Sequence, residues 1–421
     1  QGSDVLKVDL ILDNPSNKKV SITKSFIFKQ NEYDIDVSYN IENNSNDVWS
    51  GNIFSVLKRK ELPSSSGSFL SPVAYTGLAV YNLDNKFHKL ATDKLNPSGQ
   101  TWDSKQGWAA MIQHYFISAW IPNGEENYKY IAKSNTDGTY MITLIGPEVK
   151  VVPGTDKTTS IKFYAGPEQS DRLENLAPGL NRTIDYGIMW PIASLIFLGM
   201  KKIYNFVGNW GFAIILITIL IKILFYRLSS SSYRSMARLR VLAPKIEQLR
   251  KRYGDDREKM GKAMMELYQK EKVNPLGGCL PMLIQLPFFI ALYWVIIESV
   301  ELRHAPFIFW INDLSVKDPF YILPILMGVS MLAQQKLSPA PADPTQEKVM
   351  MMMPVVFTVL FVYFPAGLVL YWVINTITSI MQQWWITRSI EKEQSQDFKK
   401  KEHKQNKLNV NKKSINDSSY S

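Results

Sequence analysis

The stretch WGFAIILITILIKILFYRL, residues 210–228, decides how the chain is read. Up to its closing Tyr226 and Arg227 it is apolar except for Thr218 and one fully charged side chain, Lys222. As a helix rising ~1.5 Å per residue, it is just long enough to span a bilayer core. A cation inside such a helix costs on the order of 2.5–3.5 kcal/mol on insertion scales, so Lys222 demands a compensating environment. Before this stretch the sequence patterns as a water-soluble β domain. After it, apolar segments recur as in a polytopic membrane protein.

The chain has 421 residues, 46% of them hydrophobic, and a formal net charge of +10. That length allows two or three domains. Lys and Arg gather beside the apolar segments, which fits membrane topology and anionic lipid, and no specific nucleic-acid partner is expected. The single cysteine, Cys279, excludes an intramolecular disulfide. The sequence opens at Gln1 in mid-pattern, and an export signal or anchor is expected ahead of it, because residues 1–185 must be carried across a membrane.

Residues 1–165 read as β structure. Tyr33, Ile35, Val37, Tyr39 and Ile41 alternate with Asp34, Asp36, Ser38, Asn40 and Glu42, the period of a half-buried strand. Ser21–Lys29 is a second strand, with Gln30–Asn31 as the turn between them, and further strands fall at Tyr140–Ile145, Val149–Val152 and Ser160–Ala165. Antiparallel strands at this spacing suggest a sandwich. Residues 167–182 form a polar, helix-tending connector that ends the domain near 185. Residues 186–208 hold only about thirteen consecutive apolar positions, too few for a span, and are expected to lie as an interfacial helix.

Spans are expected at about 210–228, 278–298, 320–336, 349–364 and 367–386, within a core covering 209–388. Residues 229–275 form a charged helical hairpin: Leu239, Leu242, Ile246, Leu249 and Tyr253 make one seam, Gly254–Asp255–Asp256 turns the chain, and Pro244 should bend the first arm. Arg238, Arg240, Lys245, Arg250, Lys251 and Arg252 crowd this hairpin, and the tail 389–421 is rich in Lys, polar and expected to be disordered. By the positive-inside rule, hairpin and tail are cytoplasmic and the β domain lies outside.

Lys222 and Thr218 are four apart and share a helix face. Either the lysine snorkels to the cytoplasmic surface, or it faces a wet cavity inside the bundle. In the last span Tyr371, Asn375, Thr378 and Gln382 form one polar stripe, and Gln285 sits between Pro281 and Pro287. These groups either join helices by hydrogen bonds or line a hydrated groove. No carboxylate lies deep in any span to neutralise Lys222. No nucleophile elbow, zinc-protease or phosphate-loop motif occurs, and His88, His114, His304 and His403 are scattered, so no catalytic group, cofactor or metal is expected.

The runs VNPLGGCLPMLIQLPFFIALYW (273–294), ELRHAPFIFWINDLSVKDPFYILPILMGVSM (301–331) and FPAGLVLYWVIN (364–375) resemble the membrane core of the bacterial YidC family of membrane-protein insertases. The likeness continues through FVGNWGFAIILIT (206–218), MARLRVLAPKIEQLRKRYGDD (236–256) and, in the β domain, GWAAMIQHYFISAWIP (107–122). The resemblance implies a periplasmic β-supersandwich followed by five core helices around a hydrophilic groove, in the bacterial inner membrane. It also implies nascent membrane proteins, the Sec translocon and the ribosome as partners. Lys222 falls where most of the family carries Arg, which keeps the charge and loses the bidentate fork. Thr218, Gln285, Tyr371 and Trp372 fall on groove or substrate-contact positions. Trp372 stands where a second Tyr is common, and Ala366 where a Ser is common. The alternatives are a small-solute transporter with Lys222 as its anion site, and a carbohydrate-active β domain on a membrane anchor. Neither an internal repeat nor an acid pair supports them.

Overall fold

In a computed structural model the chain divides into two compact units: residues 1–187 with Glu298–Glu301, and the remainder. The structure describes residues 4–12, 19–60, 75–83, 86–90, 95, 97–254, 256–271, 280–337 and 344–390. Residues 272–279, Cys279 among them, and nearly all of 389–421 lie outside the described residues.

The first unit is a two-sheet β sandwich. Its strands are β1 (Val5–Leu12), β2 (Val20–Lys29), β3 (Asp34–Asn43), β4 (Trp49–Lys60), β5 (Thr76–Asn82), β6 (Lys86–Leu90), β7 (Gln100–Lys105), β8 (Trp108–Gln113), β9 (Phe116–Pro122), β10 (Asn127–Ser134), β11 (Thr139–Val151) and β12 (Thr155–Pro167). One sheet runs β1-β2-β3-β12-β9-β8-β5-β6, the other β4-β11-β10-β7. The alternation in β3 has its physical cause here: Val37 and Ile41 point inward and are 0% and 2% exposed. Val37, Val80 and Ile161 from one sheet meet Tyr130, Ile142 and Leu144 from the other, and at ~25 cal/mol per Å² of apolar surface this burial is the main force holding the layers together. Asn31 makes the expected turn in the left-handed region, φ 61°.

The expected strands Tyr140–Ile145 and Val149–Val152 are one strand, β11. Its pairing with β4 shifts between Ile145 and Glu148. Pro147 has no N–H to give the ladder, so the chain bulges there and then resumes pairing. Asn52 steadies the bulge by donating to the Gly146 carbonyl at 3.0 Å. The connector holds α1 (Ser170–Leu176) and a 3-10 turn at Leu180–Thr183.

The second unit is helical: α2 (Trp190–Val207), α3 (Trp210–Leu224), α4 (Tyr226–Tyr253), α5 (Arg257–Lys270), α6 (Leu280–Glu298), α7 (Ile322–Leu337), α8 (Pro344–Phe361) and α9 (366–390). Gly208 ends α2 in the left-handed region, φ 68°, and the Asn209 side chain caps α3 by accepting from Phe212 N at 3.1 Å. The expected span 210–228 does not run straight. It stops at Leu224, about 22 Å long at ~1.5 Å per residue, and α4 leaves at 70°. Phe225 (φ −93°, ψ 12°) closes one helix and opens the next. The apolar run gives way there to Arg227, four serines and a charged arm, which favour water over hydrocarbon. The hairpin therefore begins at Tyr226, not at 229, and α4 stays helical through Pro244. Asp256 caps α5 as expected, accepting from Lys259 N at 3.1 Å.

Among the described residues no single helix is both long and apolar enough to cross a membrane; α3 with Tyr226–Leu239 qualifies only as a bent pair. Yet the outward faces of this unit are greasy. Leu216, Leu220 and Ile223 on α3, Ile325 and Val329 on α7, Val355 and Val359 on α8, and Ile377, Met381 and Trp385 on α9 are all exposed. Apolar surface on that scale suits lipid rather than water.

Candidate functional site

Lys222 lies in the last turn of α3, and its Nζ donates to Ser379 Oγ on α9 at 2.7 Å. Ser379 is 3% exposed, and its hydroxyl donates in turn to the Asn375 carbonyl at 2.7 Å. Among the described residues no carboxylate pairs with Lys222. About two turns back along α9 from Ser379, Gln285 Nε2 of α6 donates to the Tyr371 hydroxyl at 3.2 Å. The structure thus brings Lys222, Gln285, Tyr371 and Asn375 onto walls contributed by α3, α6 and α9.

The buried polar ridge of α9 is Tyr371, Asn375, Ser379 and Gln383, all 7% exposed or less. It follows strict i, i+4 spacing, whereas the sequence reading stepped to Thr378 and Gln382 instead. Thr378 spends its hydroxyl on the Ile374 and Asn375 carbonyls. Ser379 and Gln383 are the residues sequence reasoning missed, and four-residue spacing from Asn375 was the signal that could have found them. Gln383 Nε2 donates to the Leu337 carbonyl at 3.0 Å, tying α9 to the end of α7.

Two expected contact residues sit differently. Thr218 is 1% exposed and donates to the Ile214 carbonyl at 2.6 Å, within its own helix. Trp372 points away from the polar ridge into an aromatic cluster, with ring centroids 5.0 Å from Phe289, 6.0 Å from Phe357 and 5.1 Å from Phe361.

On the hairpin, Arg238, Lys245, Lys251 and Arg252 are exposed. Lys245 pairs with Glu271 of the returning arm at 2.6 Å, and Lys251 pairs with Glu247 at 3.1 Å. Such surface pairs are weak and leave the charge available to a stronger partner. The side chains of Arg240 and Arg250 lie outside the described residues.

A separate polar cluster belongs to the β unit. Ser170 N donates to Glu301 Oε1 at 3.2 Å, the Tyr186 and Ser299 hydroxyls lie 3.1 Å apart, and Lys89 pairs with Asp185. Glu168 is 2% exposed. Burial pushes its carboxyl up to about 8; Glu298 and Asp185 add to the rise, while a Thr183 hydrogen bond and Lys89 oppose it. A carboxyl raised in the folded state stays protonated while the unfolded one ionises, so stability falls as pH climbs from about 4.5 to about 8. The slope is worth on the order of a few kcal/mol across that window. Glu168→Gln is expected to flatten the dependence and raise the thermal midpoint at pH 8; an unchanged pH profile would show that Glu168 does not carry it.

The family described as YidC periplasmic domain matches residues 1–198, and the one described as 60Kd inner membrane protein matches residues 202–394. The membrane protein insertase YidC of Pseudomonas entomophila (strain L48) is 51% identical over 391 residues, 93% of this chain and 69% of that protein. The one from Legionella pneumophila (strain Paris) is 50% identical over 387 residues, 92% of this chain and 69% of that protein. A solved structure of an active YidC insertase with its first transmembrane domain resolved covers 88% of this chain and 93% of its own, at 19% identity and a TM-score of 0.43.

Proposed function

The chain belongs to the YidC family of membrane protein insertases, and from that premise we propose how its own residues carry out insertion. Membrane proteins in the course of insertion are its clients, its home is the inner membrane, and its β unit is a periplasmic domain. The reading of the mechanism is carried by one observation: a lysine ammonium in an apolar helix, held by a hydroxyl and by no carboxylate among the described residues.

The helical unit threads the bilayer five times, with hairpin and tail on the cytoplasmic side. The exposed basic residues of the hairpin and the lysines of the tail attract the ribosome, the emerging chain and anionic lipid headgroups by charge. A polar or acidic leading segment of the client then enters between α3, α6 and α9. There the Lys222 ammonium and the Gln285–Tyr371 pair replace part of the hydration it gives up, which lowers the cost of crossing hydrocarbon. The client's apolar helix moves into lipid along the greasy faces of α7 and α9, and its burial there drives completion without a nucleotide. The same lateral route serves clients handed over by the Sec translocon.

Lys222→Ala is expected to lower insertion of a client with an acidic translocated segment roughly tenfold, the scale of one charge-assisted hydrogen bond. Lys222→Arg should retain most of the activity, because the charge is kept. The measurement is protease protection of the client's translocated segment in vesicles carrying the full-length protein; undiminished protection with the Ala variant would remove the charge from the mechanism.

A further inference from the structure

We infer that Ser379 is the positioning residue of Lys222: it holds the ammonium against α9 and leaves the remaining N–H donors for an acidic group of the client. The inference rests on the reading of Lys222 just given, and it adds the group that fixes where the charge sits.

A lysine head is compact, strongly hydrated and carried on a flexible four-carbon stem. Near a helix end, such a stem ordinarily extends its head towards the nearest polar surface. Lys222 is placed to do so: it lies in the last turn of α3, five residues before Arg227 and close to the run of serines that follows. Instead its Nζ turns to Ser379.

Ser379 is equipped to hold it. A serine hydroxyl has one hydrogen and two lone pairs. The hydrogen is committed to the Asn375 carbonyl one turn back, so towards Lys222 the oxygen can only accept. Tyr233 of α4, 3% exposed, also lies within hydrogen-bonding reach of this hydroxyl. The result is a fixed, neutral dipole with its negative end on the ammonium. Neutrality is the point. A carboxylate at 379 would pair with the lysine more strongly and compete with an acidic client, whereas a methyl group would leave the amine free to swing out. A hydroxyl anchors the charge without cancelling it. The i, i+4 ridge of α9 then carries both fixed points of the site, Tyr371 against Gln285 and Ser379 against Lys222.

The test uses the full-length protein in vesicles and two clients that differ only in the translocated segment, one acidic and one with the corresponding amides. The amount of each variant in the membrane is measured alongside. Ser379→Ala is expected to lower insertion of the acidic client roughly three- to tenfold, with a smaller loss for the amide client. Ser379→Thr, which can make the same back-bond to residue 375, should restore insertion. Ser379→Asp should depress the acidic client to the level of Lys222→Ala. The double variant Lys222→Ala/Ser379→Ala should be no worse than Lys222→Ala alone, as expected for two groups acting as one. Undiminished insertion with Ser379→Ala, an equal loss on both clients, or a loss that adds to that of Lys222→Ala would overturn the positioning role while leaving the reading of Lys222 intact. If Lys222→Ala itself spared the acidic client, that reading would fall and the inference with it.

Discussion

Asp318→Ala is expected to destabilise the helical unit by about 2–4 kcal/mol, since a buried donor left unsatisfied costs ~1–3 kcal/mol and two partly buried ones lose their acceptor as well. The Asp318 carboxylate is 1% exposed and accepts three hydrogen bonds: from Trp310 Nε1 at 2.9 Å, Phe320 N at 3.0 Å and Leu323 N at 2.7 Å. The last of these lies in the first turn of α7, so the same side chain closes a turn and caps a helix. Alanine would leave the buried Leu323 N without a partner and strip the partly buried Trp310 and Phe320 donors of theirs. The damage should spread to the site through the backbone. Lys317 bridges to Pro365, Ala366 N donates to the Val316 carbonyl at 2.7 Å, and Gly367 N donates to the Leu314 carbonyl at 2.9 Å. These bonds fix the start of α9, four to five residues ahead of Tyr371. The check is thermal unfolding in detergent together with proteolysis in the segment 302–321. Asp318→Asn keeps an acceptor and should lose less; equal stability of the Ala variant and the parent would refute the argument.

Gly107→Ala is expected to cost about 3 kcal/mol or more in the β unit, at or above the upper end of ordinary overpacking. A methyl at Gly107 would stand 2.4 Å from the Tyr81 carbonyl oxygen and 2.7 Å from the Tyr130 hydroxyl. Neither neighbour can withdraw. Tyr81 is in β5, paired in register with Trp108 of β8. Tyr130 is 0% exposed in the opposite sheet and stacked on Trp102 at 5.7 Å. Gly107 therefore sits where the two layers close, and any side chain there forces them apart. Hydrogen exchange of the β5 and β8 amides in the full chain would report the opening, and unchanged protection would show that the sheets accommodate the methyl group.

Much of this architecture was legible in the amino-acid order. Period-two alternation placed β3, strand-like runs marked β2 and β12, and the four later apolar segments coincide with the helices α6 to α9. The bulge in β11 read as a strand end because Gly146 and Pro147 interrupt the alternation in the same way that a turn does. The break at Phe225 was hidden for a different reason. Residues 224–226 are apolar or aromatic on both sides of it, and nothing local distinguishes a bend from a straight run.

By itself, the sequence determined that a β unit precedes a greasy helical one, that a single cation lies in the apolar run that became α3, and that later apolar segments carry polar side chains. These are properties of neighbours along the chain, set by periodicity and by what hydrocarbon tolerates. Only the tertiary structure decided which groups meet. Lys222 finds Ser379 across 157 positions, Gln285 finds Tyr371 across 86, and Glu298–Glu301 join the β unit more than a hundred residues away. Such pairings depend on where helices cross and how their ridges rotate towards one another. A rotation by one position on α9, from Thr378 to Ser379, changes which side chain Lys222 meets.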